Sequence, residues 1–299
     1  MNARFMNEYS LIEMGLFIVG AILLTVYLSA CIFLLIRQRQ MIFTPTHDDS
    51  GENPSKLNLD YEEVWIPVDS NSKNQDKLHG WFIPATKEML EGETILYLHG
   101  AGGNISNLIY LRDVAQLQKL GFSIFVVDYR GYGLSLGNFP SEISLYEDAQ
   151  TALKYLINQK RIPFNKIYLF GVSLGGAVAI DLALKEHVAG LIIVSSFTSM
   201  QEEVLYMGYR IFPIELILNQ RFESIRKVPF LKTPVIFIHG TSDTFNPAIM
   251  SQKLYDSAPN PKQLLLIDNF GHNNISEMIE NPQFKNGIQK FIQEVKAMN

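Results

Sequence analysis

The sequence predicts an α/β fold: a mostly parallel sheet of about eight strands covered by helices, preceded by one N-terminal transmembrane helix. Three observations carry that expectation. Residues Met14–Ile36 form a stretch of 23 residues without a charged side chain. After residue 60, short apolar runs alternate with longer amphipathic ones. The chain of 299 residues is 47% hydrophobic and only 18% charged, below the roughly 25% charged fraction of an average soluble domain.

The same composition removes whole classes of function. Low charge with high apolar content is incompatible with intrinsic disorder, and 20 glycines with 13 prolines are ordinary usage rather than a collagen or low-complexity bias. A net charge of −5 supplies no basic footprint for nucleic acid. Cys31 is the one cysteine, so neither an intrachain disulfide nor a thiolate zinc site can form.

Residues 1–13 read as a short tail. The run 14–36 would make a helix about 34 Å long, enough for a hydrocarbon core of about 30 Å. It has no polar face, and only the hydroxyls of Thr25, Tyr27 and Ser29 interrupt it. A cleaved signal peptide is the first competing reading, but the flank carries Glu8 and Glu13 beside Arg4, and the run exceeds the roughly 7–15 residues of a signal core. A lipoprotein signal is the second, because Leu28-Ser29-Ala30-Cys31 resembles a lipobox with Cys31 as the lipidated residue. Ile32–Ile36 continue the apolar run where such a protein turns polar. Arg37 and Arg39 after the run outweigh Arg4 before it, which by the positive-inside rule places the C-terminal body in the cytoplasm of a single-pass membrane protein. Residues 37–60 are polar and rich in turn formers after Phe43 and read as a linker.

Residues 61–299 form the folded body. Tyr61–Val68 and Leu78–Ala85 flank a polar turn and predict an antiparallel hairpin. Six short apolar runs come next: Thr94–Leu98, Ser123–Val127, Lys166–Phe170, Gly190–Val194, Pro234–Ile238 and Gln263–Ile267. Such runs suit strands buried on both faces. Helical stretches lie between them at Asn107–Leu120, Ser141–Gln159, Leu174–His187 and Pro247–Ala258, with Ile275–Ala297 at the end, which predicts right-handed crossovers. The connection 195–233 is long, and an insertion at about 197–230 would act as a lid or substrate wall, or pack on the sheet edge.

Ligands of such sheets bind beyond the carboxyl ends of the strands. The run 166–170 is followed by Gly171-Val172-Ser173-Leu174-Gly175, a G-x-S-x-G placed between a strand and a helix as a nucleophile elbow requires. A serine hydroxyl needs a base, and the base an orienting acid. His272 follows the last run and Asp243 the one before it, giving the order Ser173, Asp243, His272 that this motif class requires. Asp268, on the strand side of the His272 loop, is the alternative acid. The two oxyanion donors are expected to be the backbone N–H groups of Leu174 and Ala101, the latter in the glycine-rich His99–Asn104 loop. His99 and His239 each precede a glycine at a strand end and read as loop supports. No pair of histidines has metal-ligand spacing, no phosphate loop of the G-x-x-x-x-G-K-[ST] type is present, and no cofactor is expected.

Together His99–Asn104, Asp128–Gly133, Gly171–Gly176, the Asp243 loop and Gly271-His272 resemble, in order and spacing, the serine-hydrolase branch of the α/β-hydrolase superfamily over residues 60–296. With the N-terminal anchor, the resemblance is to the membrane-anchored, bud-emergence-type α/β-hydrolase domain proteins, whose branch also contains peptidase-like members. The resemblance implies Ser173 as nucleophile, Asp243 as acid, His272 as base, and a structural role for Asp128–Gly133. Phe245-Asn246 departs from the aliphatic pair usual after the acid. The reaction implied is acyl transfer to water from an ester, thioester or amide, and the tether suggests an amphiphilic acyl substrate. A peptidase, or a membrane-bound scaffold that has lost its chemistry, is the alternative. The partners expected are the lipid bilayer through 14–36 and the substrate, without nucleic acid.

Overall fold

Side-chain alternation along the strands decides how the layers stack. In a computed structural model describing residues 2–47, 52–68, 76–86 and 92–298, Leu96, Leu98, Phe125, Leu169 and Ile193 point to one face of a central sheet. Their neighbours Ile95, Tyr97, Ile124, Phe170 and Ile192 point to the other. Both faces are therefore apolar, and both must be covered.

The sheet has eight strands: β1 Glu62–Pro67, β2 Lys77–Ile83, β3 Thr94–Leu98, β4 Ser123–Val127, β5 Ile167–Val172, β6 Gly190–Val194, β7 Val235–Gly240 and β8 Lys262–Ile267. Their order is β8-β7-β6-β5-β3-β4-β2-β1. The β1–β2 hairpin and the β2–β4 pairing are antiparallel, and every other pairing is parallel. The predicted hairpin turn falls mostly on 69–75, outside the described residues.

Ten helices accompany the sheet among the described residues: α1 Asn2–Ile42, α2 Leu108–Lys119, α3 Glu142–Asn158, α4 Leu174–Lys185, α5 Met200–Tyr206, α6 Ile214–Ile217, α7 Ser224–Lys227, α8 Ile249–Ser257, α9 Ile275–Glu280 and α10 Pro282–Met298. Leu145 and Leu153 of α3, Val178 of α4 and Leu254 of α8 cover one face. Leu117 of α2 and Phe284, Ile288 and Phe291 of α10 cover the other. A capping box, with Ser141 and Ser144 each accepting from the other's backbone, starts α3 and satisfies two orphan N–H groups there.

Two stretches differ from expectation. The helix predicted over Ile275–Ala297 is two helices, because Pro282 disfavours helical geometry at the residue before it; Asn281 accordingly turns extended at φ −63°, ψ 135°. The expected linker 37–60 is largely docked. Helix α1 continues through Cys31 to Ile42, and Phe43 is fully buried, with its ring edge-on to Phe222 at 6.1 Å. Thr44-Pro45 pairs in parallel with Gly102-Gly103, and Leu57 and Leu59 pack on the second core. Those apolar side chains find buried partners, which a free linker would leave in water.

Every described side chain of α1 from Ile12 to Ser29 is exposed. The segment Ile12–Ile42 is long and apolar enough to cross a membrane, as an anchor or a signal sequence does.

Candidate active site

The turn after β5 is set by close backbone approach. Ser173 has φ 53° and ψ −117°, a conformation that costs on the order of 1–3 kcal/mol and persists only where surroundings enforce it. They do so here. The Ser173 N–H donates to Val194 O at 2.9 Å, and Ser196 Oγ donates to Ser173 O at 2.8 Å. A Cβ on Gly175 would lie 2.0 Å from Leu98 O, and one on Gly171 would lie 2.4 Å from Gly175 O. Only glycine lets the elbow close against β3. Helix α4 begins at Leu174, so its first amides face the same space and favour negative charge there.

Asp243 and His272 come from the loops after β7 and β8, neighbours in the sheet. His272 Nδ1 lies 2.7 Å from Asp243 Oδ2; the carboxylate can only accept, so Nδ1 carries the proton and Nε2 keeps its lone pair. The Phe245 and Asn246 N–H groups donate to Asp243 Oδ1 at 2.9 and 2.8 Å. His239 Nε2 lies 3.3 Å from Oδ2 on another side, while it donates to Asn246 O at 2.8 Å. Burial alone would push the Asp243 pKa up; the nearby His239 Nε2–H and the hydrogen bonds from His272 and the Asn246 amide outweigh it and hold the carboxyl far below the usual range. Asp268, the alternative acid, accepts from Thr241 Oγ1 at 3.2 Å instead. His239 thus does more than support a loop: it faces the carboxylate that His272 binds. Its place next to Gly240 at the strand end was the sequence signal for it.

Ala101 and Leu174 line one cavity with Ser173. The peptide carrying the Ala101 N–H is oriented from behind, since His99 Nδ1 donates to Gly100 O at 2.8 Å, and in a trans peptide the N–H points opposite to the carbonyl. Burial lowers the His99 pKa to about 4, which keeps the ring neutral. The Asp128–Gly133 loop buttresses the same turn, with Tyr132 Oη donating to Ala101 O at 2.8 Å.

The cavity has a volume of about 180 Å³. Its walls are mostly apolar and come from α1, from α5, α6 and the turn between them, and from Phe245. The Phe245 ring leans on His272 at 4.9 Å, so the residue that departs from the usual aliphatic pair joins the histidine to the cavity wall. Among the described residues no hydrogen bond joins Ser173 to His272, and no group of three or more His, Cys, Asp or Glu side chains could hold a metal ion.

Two residues of this cavity escaped the sequence analysis. Gln38, near the end of α1, is 5% exposed; its amide donates to Ile217 O at 3.0 Å and accepts from the Asn219 N–H at 2.7 Å. Glu203 of α5 lines the cavity with Oε2 buried and unpartnered. Burial, with the nearby Asp243 carboxylate adding to it, raises the Glu203 pKa to about 8. Neither carries a local signal: Gln38 stands among Arg37, Arg39 and Gln40, and Glu203 follows Glu202 in an insertion with several other charges.

Comparison with known proteins agrees with this architecture. A family model described as serine aminopeptidase, S33, matches residues 92–227. An Arabidopsis thaliana alpha/beta hydrolase domain-containing protein, WAV2, is 30% identical over 243 residues, covering 74% of this chain and 75% of its own. The chain belongs to the α/β-hydrolase superfamily. Within that superfamily, protein bem46 of Schizosaccharomyces pombe is 31% identical over 242 residues, covering 76% of this chain and 77% of its own. An esterase of Pyrococcus furiosus has the same fold, with a TM-score of 0.67 at 20% identity over 85% of this chain and 98% of its own. This chain is an α/β-hydrolase with a long apolar helix ahead of its catalytic fold.

Proposed function

We propose that this α/β-hydrolase is a membrane-anchored serine hydrolase cleaving acyl esters, thioesters or amides through Ser173, His272 and Asp243. The observation that carries the proposal is the bonded Asp243–His272 pair, which meets through Phe245 the cavity that the strained Ser173 turn lines. His272 Nε2 takes the hydroxyl proton as Ser173 Oγ attacks the carbonyl carbon, and Asp243 holds the imidazolium so formed. The carbonyl oxygen becomes an oxyanion between the Ala101 and Leu174 N–H groups, neither of which donates to a backbone acceptor among the described residues. Collapse expels the alcohol, thiol or amine, which takes the proton from His272. Water, deprotonated by His272, then cleaves the acyl-enzyme and returns the serine.

The cavity lining favours an acyl chain over a peptide, because an extended backbone needs partners for its N–H and C=O groups. Arg37 and Arg39, on the body side of the span, support a cytoplasmic catalytic domain by the positive-inside rule. Hydrolysis of p-nitrophenyl butyrate tests the assignment: Ser173→Ala lowers kcat by about 10⁴-fold or more. Retention of a tenth of wild-type activity by that variant refutes it.

A further inference from the structure

The apolar helix and the active site share a wall. Leu34 lies within the charge-free run, yet it lines the cavity that reaches Ser173, as do Gln38 and Met41 one and two turns further on. The facing wall is the insertion after β6. It runs alongside α1 well into the same run: Tyr27 Oη donates to Ile211 O at 2.9 Å, and its ring stacks on Phe212 at 5.9 Å. The buried amide of Gln38 clamps the other end of this seam onto Ile217 and Asn219.

The outer surface of the seam is apolar on both sides. Phe33 and Ile36 of α1 are 58% and 67% exposed, and Ile211 and Leu216 of the insertion are 73% and 84% exposed. A span explains bare apolar residues on α1; it does not by itself explain them on a segment some 180 positions later. The fully exposed stretch Ile12–Ser29 is about 27 Å long at the rise of an α-helix. It nearly fills a hydrocarbon core of about 30 Å. A span of that length puts the membrane surface between the Tyr27–Ile211 and Gln38–Ile217 contacts, the stretch of seam that carries exposed Ile211 and Leu216.

We infer that the insertion and α1 dock together into the bilayer surface, and that the cavity between them takes the acyl chain of a membrane-resident lipid ester directly from the leaflet. The chain slides along α1 past Leu34 and Met41, and its carbonyl arrives at Ser173 without the tail crossing water. Leu34 and Ile214, on opposite walls, set how long a chain fits. This rests on the serine-hydrolase reading above, and the experiment separates the two.

The full-length protein is reconstituted in phosphatidylcholine vesicles and assayed with laurate and butyrate p-nitrophenyl esters. Leu34→Trp, which fills the channel, lowers the laurate-to-butyrate ratio of kcat/KM at least tenfold. Leu216→Glu, a surface change that cannot disturb the cavity packing, lowers hydrolysis of a vesicle-borne long-chain glycerol ester at least fivefold relative to butyrate. Ratios within twofold of wild type in either variant, with fluorophosphonate labelling intact, overturn the inference and leave the hydrolase reading standing. Absence of labelling in the wild type defeats the hydrolase reading instead. Preferential cleavage of an S-lauroyl peptide over the glycerol ester overturns the lipid assignment in favour of a protein-borne chain.

Discussion

The strand-end loops and the seam between α1 and the insertion are built on different principles. Ser173, Asp243 and His272 follow β5, β7 and β8, strands held in one parallel register, so their positions are fixed by short motifs at the ends of rigid elements. The seam joins residues about 180 positions apart, through Tyr27 to Ile211 and Gln38 to Ile217. The proposed triad is thus encoded locally, whereas the shape of the cavity beside Ser173 is encoded by long-range contacts that no local pattern announces.

The largest effect tests the local half. Asp243→Asn removes the acceptor that holds the His272 Nδ1–H, and kcat for butyrate ester falls about 10⁴-fold with the cavity intact. A loss below tenfold would leave the strand ends with no advantage over the seam.

Glu203 lies where the two regions meet. Its folded pKa of about 8 stands above the ordinary 4.5, so the folded protein holds a proton that the unfolded chain releases. The stability linked to that proton is full below pH 4.5 and is lost progressively as pH rises towards 8. Glu203→Gln is free of this loss. Urea titrations should show it more stable than wild type by on the order of 3 kcal/mol at pH 7, with the advantage fading towards pH 4. A pH-independent difference contradicts the burial of that carboxyl.

The smallest effect tests the long-range half. Gln38→Leu leaves Ile217 O and the Asn219 N–H without their partner and costs about 1–3 kcal/mol of stability, measured by denaturant unfolding of the full chain in detergent. Laurate hydrolysis falls more than butyrate hydrolysis. Unchanged stability would mean that α1 merely lies beside the body.

This contrast also explains what the sequence made readable. Six parallel strands are legible as apolar runs with Ser173, Asp243 and His272 beyond their ends; five are buried on both faces, as such runs suggest, but β8 at the sheet edge is only half-buried and leaves Leu266 exposed. The break at Asn281-Pro282 was readable in principle, since proline constrains its predecessor, but the strong apolar period of α10 runs across it. Residues 37–43 look like a linker because Arg37, Gln38, Arg39 and Gln40 are polar; only the buried carbonyl of Ile217 shows why Gln38 is there. Glu203 gives no sign in the sequence that it lines the cavity shared with Ser173. A polar residue whose partners lie far along the chain, as those of Gln38 do, carries no local signature.

The central claim is that Ser173 is the nucleophile of a serine hydrolase whose cavity is completed by α1. Peptide mapping by mass spectrometry after treating the full-length protein with a long-chain alkyl fluorophosphonate addresses it most directly. One covalent adduct is expected, on the peptide containing Ser173, formed at least tenfold more slowly in Leu34→Trp. An adduct elsewhere, or none, would contradict it.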